Sequence, residues 1–181
     1  MEAGIGRIAM RARLSDASSI EDVITQLKCA AAPITVGIDG FQGTRKSNLA
    51  YRLGYELCAN VVTIDDYIPP NSGALWLSSI DYRRLSQRIE TLRTVGFGRV
   101  VVEGICLLQI LDKGGISLDY LIHTQGINKA GSWKYGNILN DMGEYERYLA
   151  CCANDVEAEV LKYHRECRPW EKAGFIFLVR D

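Results

Sequence analysis

Residues 34–50 read ITVGIDGFQGTRKSNLA. Ile34, Val36 and Ile38 give a short apolar run of strand type, Gly40 and Gly43 lie in a loop that ends in Lys46-Ser47, and Leu49, Ala50, Leu53, Leu57 and Cys58 then recur at helical spacing. A strand, a glycine-bearing loop and a helix in that order form a phosphate cradle. Main-chain N–H groups turn inward, a lysine reaches the outer phosphates, a hydroxyl takes a magnesium ion, and the positive end of a helix stands behind them. The pattern G-x-x-x-x-G-K-[ST] expects glycine before the lysine, and this chain has Arg45 there. A side chain at that place restricts positive φ, so either the loop holds an allowed backbone angle at position 45 or the arginine adds a second cation beside the phosphates.

The rest of the chain alternates strand and helix signals. Residues 6–14 alternate weakly and suit an edge strand or an ordered arm. Ser18-Ser19-Ile20-Glu21 is a capping-box pattern for a helix through about Ala30, with Ile20, Val23, Ile24 and Leu27 on one face and Pro33 beyond its end. Further strands are expected over residues 60–64, 99–104, 117–123 and 175–179, and helices over residues 80–95, 107–111 and 144–166. This alternation predicts a three-layer α/β/α sandwich around a mostly parallel five-stranded sheet, in a single domain spanning residues 1–181. Residues 1–31 form its N-terminal arm and helix, and residues 126–143 a lid or acceptor loop.

Two strands finish in acids. Asn60-Val-Val-Thr-Ile64 runs into Asp65-Asp66-Tyr67, and Arg99-Val-Val-Val leads to Glu103. In an open parallel sheet the C-terminal strand ends face one crevice, where ligands bind. Glu103 then suits the magnesium shell as an acid-tipped strand, with a helix N-cap as the plainer role. Asp65 or Asp66 could accept the proton of an attacking hydroxyl, while the other caps the following turn.

Composition narrows the partners. A net charge of −1 gives no pull toward nucleic acid or anionic membrane, which points to a small-molecule partner and keeps a homo-oligomer open. No apolar run approaches the roughly 20 residues of a membrane span, and the first residues lack a signal-type apolar core, so a cytoplasmic location is expected. The six cysteines show no C-x-x-C spacing and read as small buried hydrophobes. With only His123 and His164 available, thiolate zinc spacing is missing. His164, in a charged run, reads as part of a solvated helix face, and Trp133, Lys134 and Tyr135 as packing.

The runs VGIDGFQGTRKS, VTIDDY and VVVEGI, with a late echo in YHRECRPWEKAGFIF, resemble in order and spacing the uridine kinase and phosphoribulokinase group of P-loop kinases. The resemblance covers about two thirds of the chain. It implies a P-loop NTPase fold of nucleoside-kinase type, with ATP as phosphoryl donor and Mg2+ as cofactor. The loop Gly40, Phe41, Gln42, Gly43, Thr44, Arg45, Lys46, Ser47 and Asn48 would hold ATP, with Lys46 on the phosphates and Ser47 with Glu103 on the metal. Asp65 would be the base, and Asp66 and Tyr67 would border the acceptor. Departures are Arg45, Gly174 in place of an acid before the last strand, and a lid without clustered arginines, where residues 124–148 offer Lys129, Lys134 and Arg147. Three functions follow: a small-molecule kinase, a catalytically impaired nucleotide-binding module with a regulatory or structural role, or a plain ATPase or GTPase switch. The switch is disfavoured because the guanine-reading Asn/Thr-Lys-x-Asp pattern is missing.

Overall fold

The computed structural model describes Leu14, residues 17–70 and residues 76–180. The expected edge strand over residues 6–14 lies almost wholly outside them. Five strands, β1 (Ile34–Gly40), β2 (Asn60–Thr63), β3 (Arg99–Glu103), β4 (Tyr120–Ile127) and β5 (Phe175–Arg180), form one sheet in the order β2-β3-β1-β4-β5. Every neighbouring pair is parallel. All seven residues of β1 are buried, as a central strand covered on both faces must be.

Helices cover both faces. On one, α1 (Ile20–Cys29) and α2 (Lys46–Leu57) bring Val23, Leu27, Leu49 and Leu53 onto Val36, Ile38, Val101 and Ile122. On the other, α4 (Tyr82–Thr94), α5 (Leu107–Lys113) and α8 (Asp155–Cys167) bring Leu85, Ile89, Leu107, Ile110 and Leu161 onto Val100, Val102 and Leu121. The short helices α3 (Trp76–Ser79), α6 (Gly136–Asn140) and α9 (Pro169–Lys172), together with α7 (Met142–Ala150), fill the connections. The three-layer sandwich is as expected, with a sheet that is parallel throughout.

Several boundaries differ from the sequence reading, each for a local reason. The α1 cap is Ser19 with Asp22, whose side chain accepts from the Ser19 amide at 3.0 Å while Ser19 Oγ accepts from the Asp22 amide at 3.1 Å. Strand β4 begins three residues later than residue 117 and runs on to Ile127, because its pairing with β1 and β5 extends through Thr124 and Gly126. The helix expected over residues 144–166 is two helices, since the Asn154 side chain accepts from the Glu157 amide and opens α8 afresh. Helix α4 starts at Tyr82 because Asp81 caps it through the Arg84 amide.

The segment before β4 is anchored by a buried acid. Asp119 is 4 % exposed, and its carboxylate accepts from the Thr35 amide of β1 at 2.7 Å, with Arg93 at 4.0 Å. Removing it orphans a buried N–H, which costs about 1–3 kcal/mol. Asp119→Ala is therefore expected to lower the unfolding free energy by that amount, measured as a lower urea midpoint at an unchanged slope.

Candidate active site

The ends of β1, β3 and β2 are adjacent in the sheet, so the loop after β1, Glu103 at the end of β3 and the acids after β2 share one rim. The loop from Gly40 to α2 is braced from beneath. Gly40 has φ 149°, and a Cβ there would lie 2.2 Å from Thr124 Oγ1, so only glycine lets the loop leave the strand this close to β4. Thr44 Oγ1 donates to the Phe41 carbonyl at 2.7 Å and meets Thr124 Oγ1 at 2.6 Å. Gly43, at φ 73°, has open space where a Cβ would stand. Of the two roles open to Arg45, the backbone one is met: it holds φ 55° and ψ 30°. Its exposed side chain lines a surface hollow of about 270 Å³ with Asn48, Arg52 and Arg180.

Lys46 is 8 % exposed, and its Nζ donates to the Phe41 carbonyl at 2.8 Å. Burial lowers its pKa, while the carboxylates of Asp39, Glu103 and Asp65 pull the other way. Ser47 Oγ donates to Glu103 Oε1 at 3.1 Å. A hydroxyl and a carboxylate so placed, at the first turn of a 12-residue helix, could share a hard cation through oxygen. Asp65 and Asp66 are exposed in a 3-10 turn over Ile64–Tyr67. The Ile68 amide closes that turn on the Asp65 carbonyl at 3.2 Å. Tyr67 is nearly buried, with the Arg84 guanidinium 5.3 Å from its ring centre.

The segment over residues 126–143 folds down beside the loop. Ile127 and Trp133 form an antiparallel bridge, Trp133 packs on Trp170 with ring centres 5.0 Å apart, and Tyr135 stacks on Phe41 at 3.8 Å. A Cβ at Gly126 would come 3.4 Å from the Lys134 Cδ and 3.8 Å from Thr44, and the Gly126 carbonyl accepts from the Lys134 amide at 3.0 Å, so the Lys134 stem lies beside Gly126. Arg147, by contrast, is exposed and paired with Glu144.

Beneath the loop lies a polar cluster that sequence reasoning missed. Asp39 and His123 are paired residues of β1 and β4, and His164 of α8 lies over them; all three are 0 % exposed. His164 is thus a core residue rather than part of a solvated face. Tyr163 accepts from the Leu108 amide at 3.2 Å and donates to Asp39, whose other oxygen accepts from the Gly40 amide at 2.6 Å. Burial raises the Asp39 pKa to about 6 and lowers those of both histidines to about 3. The cysteines also depart from expectation, because Cys29, Cys58 and Cys151 are exposed, Cys152 is half-buried, and Cys106 and Cys167 are buried. The available signal for the cluster was period-two alternation in β4, which puts His123 on the same covered face as Leu121.

These features define a three-layer α/β/α fold with a parallel five-stranded sheet and a glycine-bearing loop between β1 and α2. No protein-family model matches the chain, and no curated protein matches it either. Among solved structures it is similar to one described as a possible uridine kinase from Bacillus stearothermophilus, at 16% identity over 87% of this chain and 98% of that one, with a TM-score of 0.52. It is also similar to a presumed fructose transport system kinase from Silicibacter sp. TM1040, at 14% identity over 89% and 100% of the two chains, with a TM-score of 0.49. Among the described residues no helix is long and apolar enough to cross a membrane.

A left-handed backbone costs a non-glycine residue about 1–2 kcal/mol. Arg45→Gly is expected to match or exceed the parent in denaturant stability by up to about 1 kcal/mol, and Arg45→Val to fall below it. The buried titrating groups give a second expectation. The folded histidines stay neutral while unfolded ones protonate below about 6.5, so their contribution is lost as pH falls from there toward 3. Asp39 acts oppositely, since its raised folded pKa favours the native state as pH falls from 6 toward 4. Two histidines outweigh one acid. Stability measured with chelator present should therefore decline on acidification through this window, and His123→Phe should flatten the decline.

Proposed function

We propose that the chain is an ATP-dependent phosphotransferase that moves the γ-phosphoryl group of ATP to a hydroxyl of a small molecule, as the uridine kinase-like sequence pattern implies. One observation carries the reading. Ser47 and Glu103 offer two oxygen atoms 3.1 Å apart beside Lys46, one at the start of α2 and the other at the end of β3. Adjacent ligands of octahedral Mg2+ at 2.0–2.1 Å lie about 2.9 Å apart, so the pair fits that ion. Bound magnesium would neutralise charge on the phosphates.

The amides of the loop over residues 40–48 receive the phosphate oxygens, and Lys46 exchanges the Phe41 carbonyl for one of them. Asp65, whose charge acts on Lys46, accepts the proton of the acceptor hydroxyl and aligns its oxygen. Asp66 and Tyr67 border the acceptor. Lys134, lying beside Gly126, supplies the cation that the resembling kinases take from lid arginines.

A second reading, a nucleotide-binding module without turnover, is favoured by the Lys46 bond to the Phe41 carbonyl and by Arg45 at the glycine position. The two separate in one assay of the full chain with ATP, Mg2+ and a panel of nucleosides and sugar alcohols. Phosphorylated product is expected, with Asp65→Asn reducing kcat by about 10²–10⁴-fold, Lys46→Ala abolishing turnover, and Lys134→Ala reducing kcat more than it raises KM. ATP binding by calorimetry with no product from any acceptor would favour the module; no binding at all sinks both.

A further inference from the structure

We infer that Asp39, His123 and His164 form a buried binding site for a divalent transition metal, zinc being the best match, distinct from the Ser47–Glu103 oxygen pair. One ligand atom from each residue lies within 4.8 Å of the other two. Both ring nitrogens of His123 and Nε2 of His164 are buried without a hydrogen-bond partner. An orphaned buried polar atom costs about 1–3 kcal/mol, so three in one cluster are hard to explain as packing. A metal resolves at least two of them.

The surroundings are those of ligating side chains. His164 Nδ1 lies 2.8 Å from the Val160 carbonyl. A carbonyl only accepts, so Nδ1 carries the proton and Nε2 presents its lone pair. Metal-bound histidines are oriented by such a bond on the other nitrogen. The Asp39 carboxylate is held by the Tyr163 hydroxyl and the Gly40 amide, the kind of outer support that ligating carboxylates receive. Two imidazoles and a carboxylate suit zinc and related ions and do not suit magnesium, which prefers oxygen. Around zinc, ligand atoms at about 2.0–2.1 Å sit about 3.3 Å apart in a tetrahedron, so the three groups must close by up to about 1.5 Å, within reach of ring rotation. The bound ion would clasp β1, β4 and α8 together behind the phosphate loop. No thiol belongs to the cluster: buried Cys106 and Cys167 feel the charge of Asp39, but neither sulfur is among the grouped ligand atoms.

The test uses the full chain, stripped of metal, with exposed Cys29, Cys58 and Cys151 changed to serine to remove adventitious thiolate sites. Zinc titration is expected to give one equivalent bound and a raised Tm, cobalt to give visible bands of nitrogen and oxygen ligation without a thiolate charge-transfer band, and magnesium to do neither. His123→Phe, which also removes two orphaned nitrogens, should fold and lose at least about 100-fold in zinc affinity. If that variant does not fold, Asp39→Asn serves the same comparison, and the imidazole nitrogen resonances of His123 and His164 in the parent protein should shift on zinc addition. Absence of stoichiometric zinc binding, affinity unchanged in the variants, or unmoved histidine resonances would each overturn the site. None of these readouts depends on phosphotransfer.

Discussion

A carboxylate taken out of water at the end of the central strand holds the phosphate loop in place. Asp39 is buried on the inner face of β1, receives the Tyr163 hydroxyl from α8 and the amide of Gly40, and lies close enough to Lys46 to be the largest charge opposing its desolvation. Burying an ion without partners is prohibitive, so the carboxylate, the hydroxyl and the ammonium are mutually required. The loop conformation, the docking of α8 and the orientation of Lys46 are one arrangement seen from three sides.

That arrangement also explains why α8 matters to a site made mainly from β1, β2 and β3. Phe41, at the loop's second position, is clamped between Tyr135 and His164 with ring centres 3.8 Å away on each side. It fastens the loop to the helix and to the segment over residues 126–143. Its side chain packs, and its carbonyl holds Lys46. Thr44 and Thr124 complete the brace from β4. A loop that in isolation would sample many conformations is pinned at residues 39, 41 and 44, leaving Gly43 and Ser47 exposed.

The site also shows how a departure from a motif is absorbed. Arginine at position 45 adopts the left-handed angle that glycine would take without strain, and its side chain turns to the hollow beside β5 instead of filling the cradle. The strain is small against the contacts that fix both flanks of the residue. Lys134 is held beside Gly126 because Trp133 is bridged to Ile127 and packed on Trp170.

By itself the sequence determined the layers, the strand and helix alternation, the phosphate loop and the two acid-tipped strands, because periodicity and glycine spacing are local properties. It also put Glu103 at the end of one strand, Asp65 just after another, and Lys46 and Ser47 at the start of the helix that follows the loop. What it did not carry was proximity between distant segments. Asp39 meets His123 through strand register and Tyr163 across 124 positions, and the burial of His164 depends on which face of α8 the sheet selects. The helix expected over residues 144–166 was divided by one capping side chain at Asn154, and β4 was shifted by its pairing with two neighbours. Desolvation is the common reason: whether a polar residue is a surface group or a core ligand depends on what the tertiary structure packs over it, and no single stretch of chain records that.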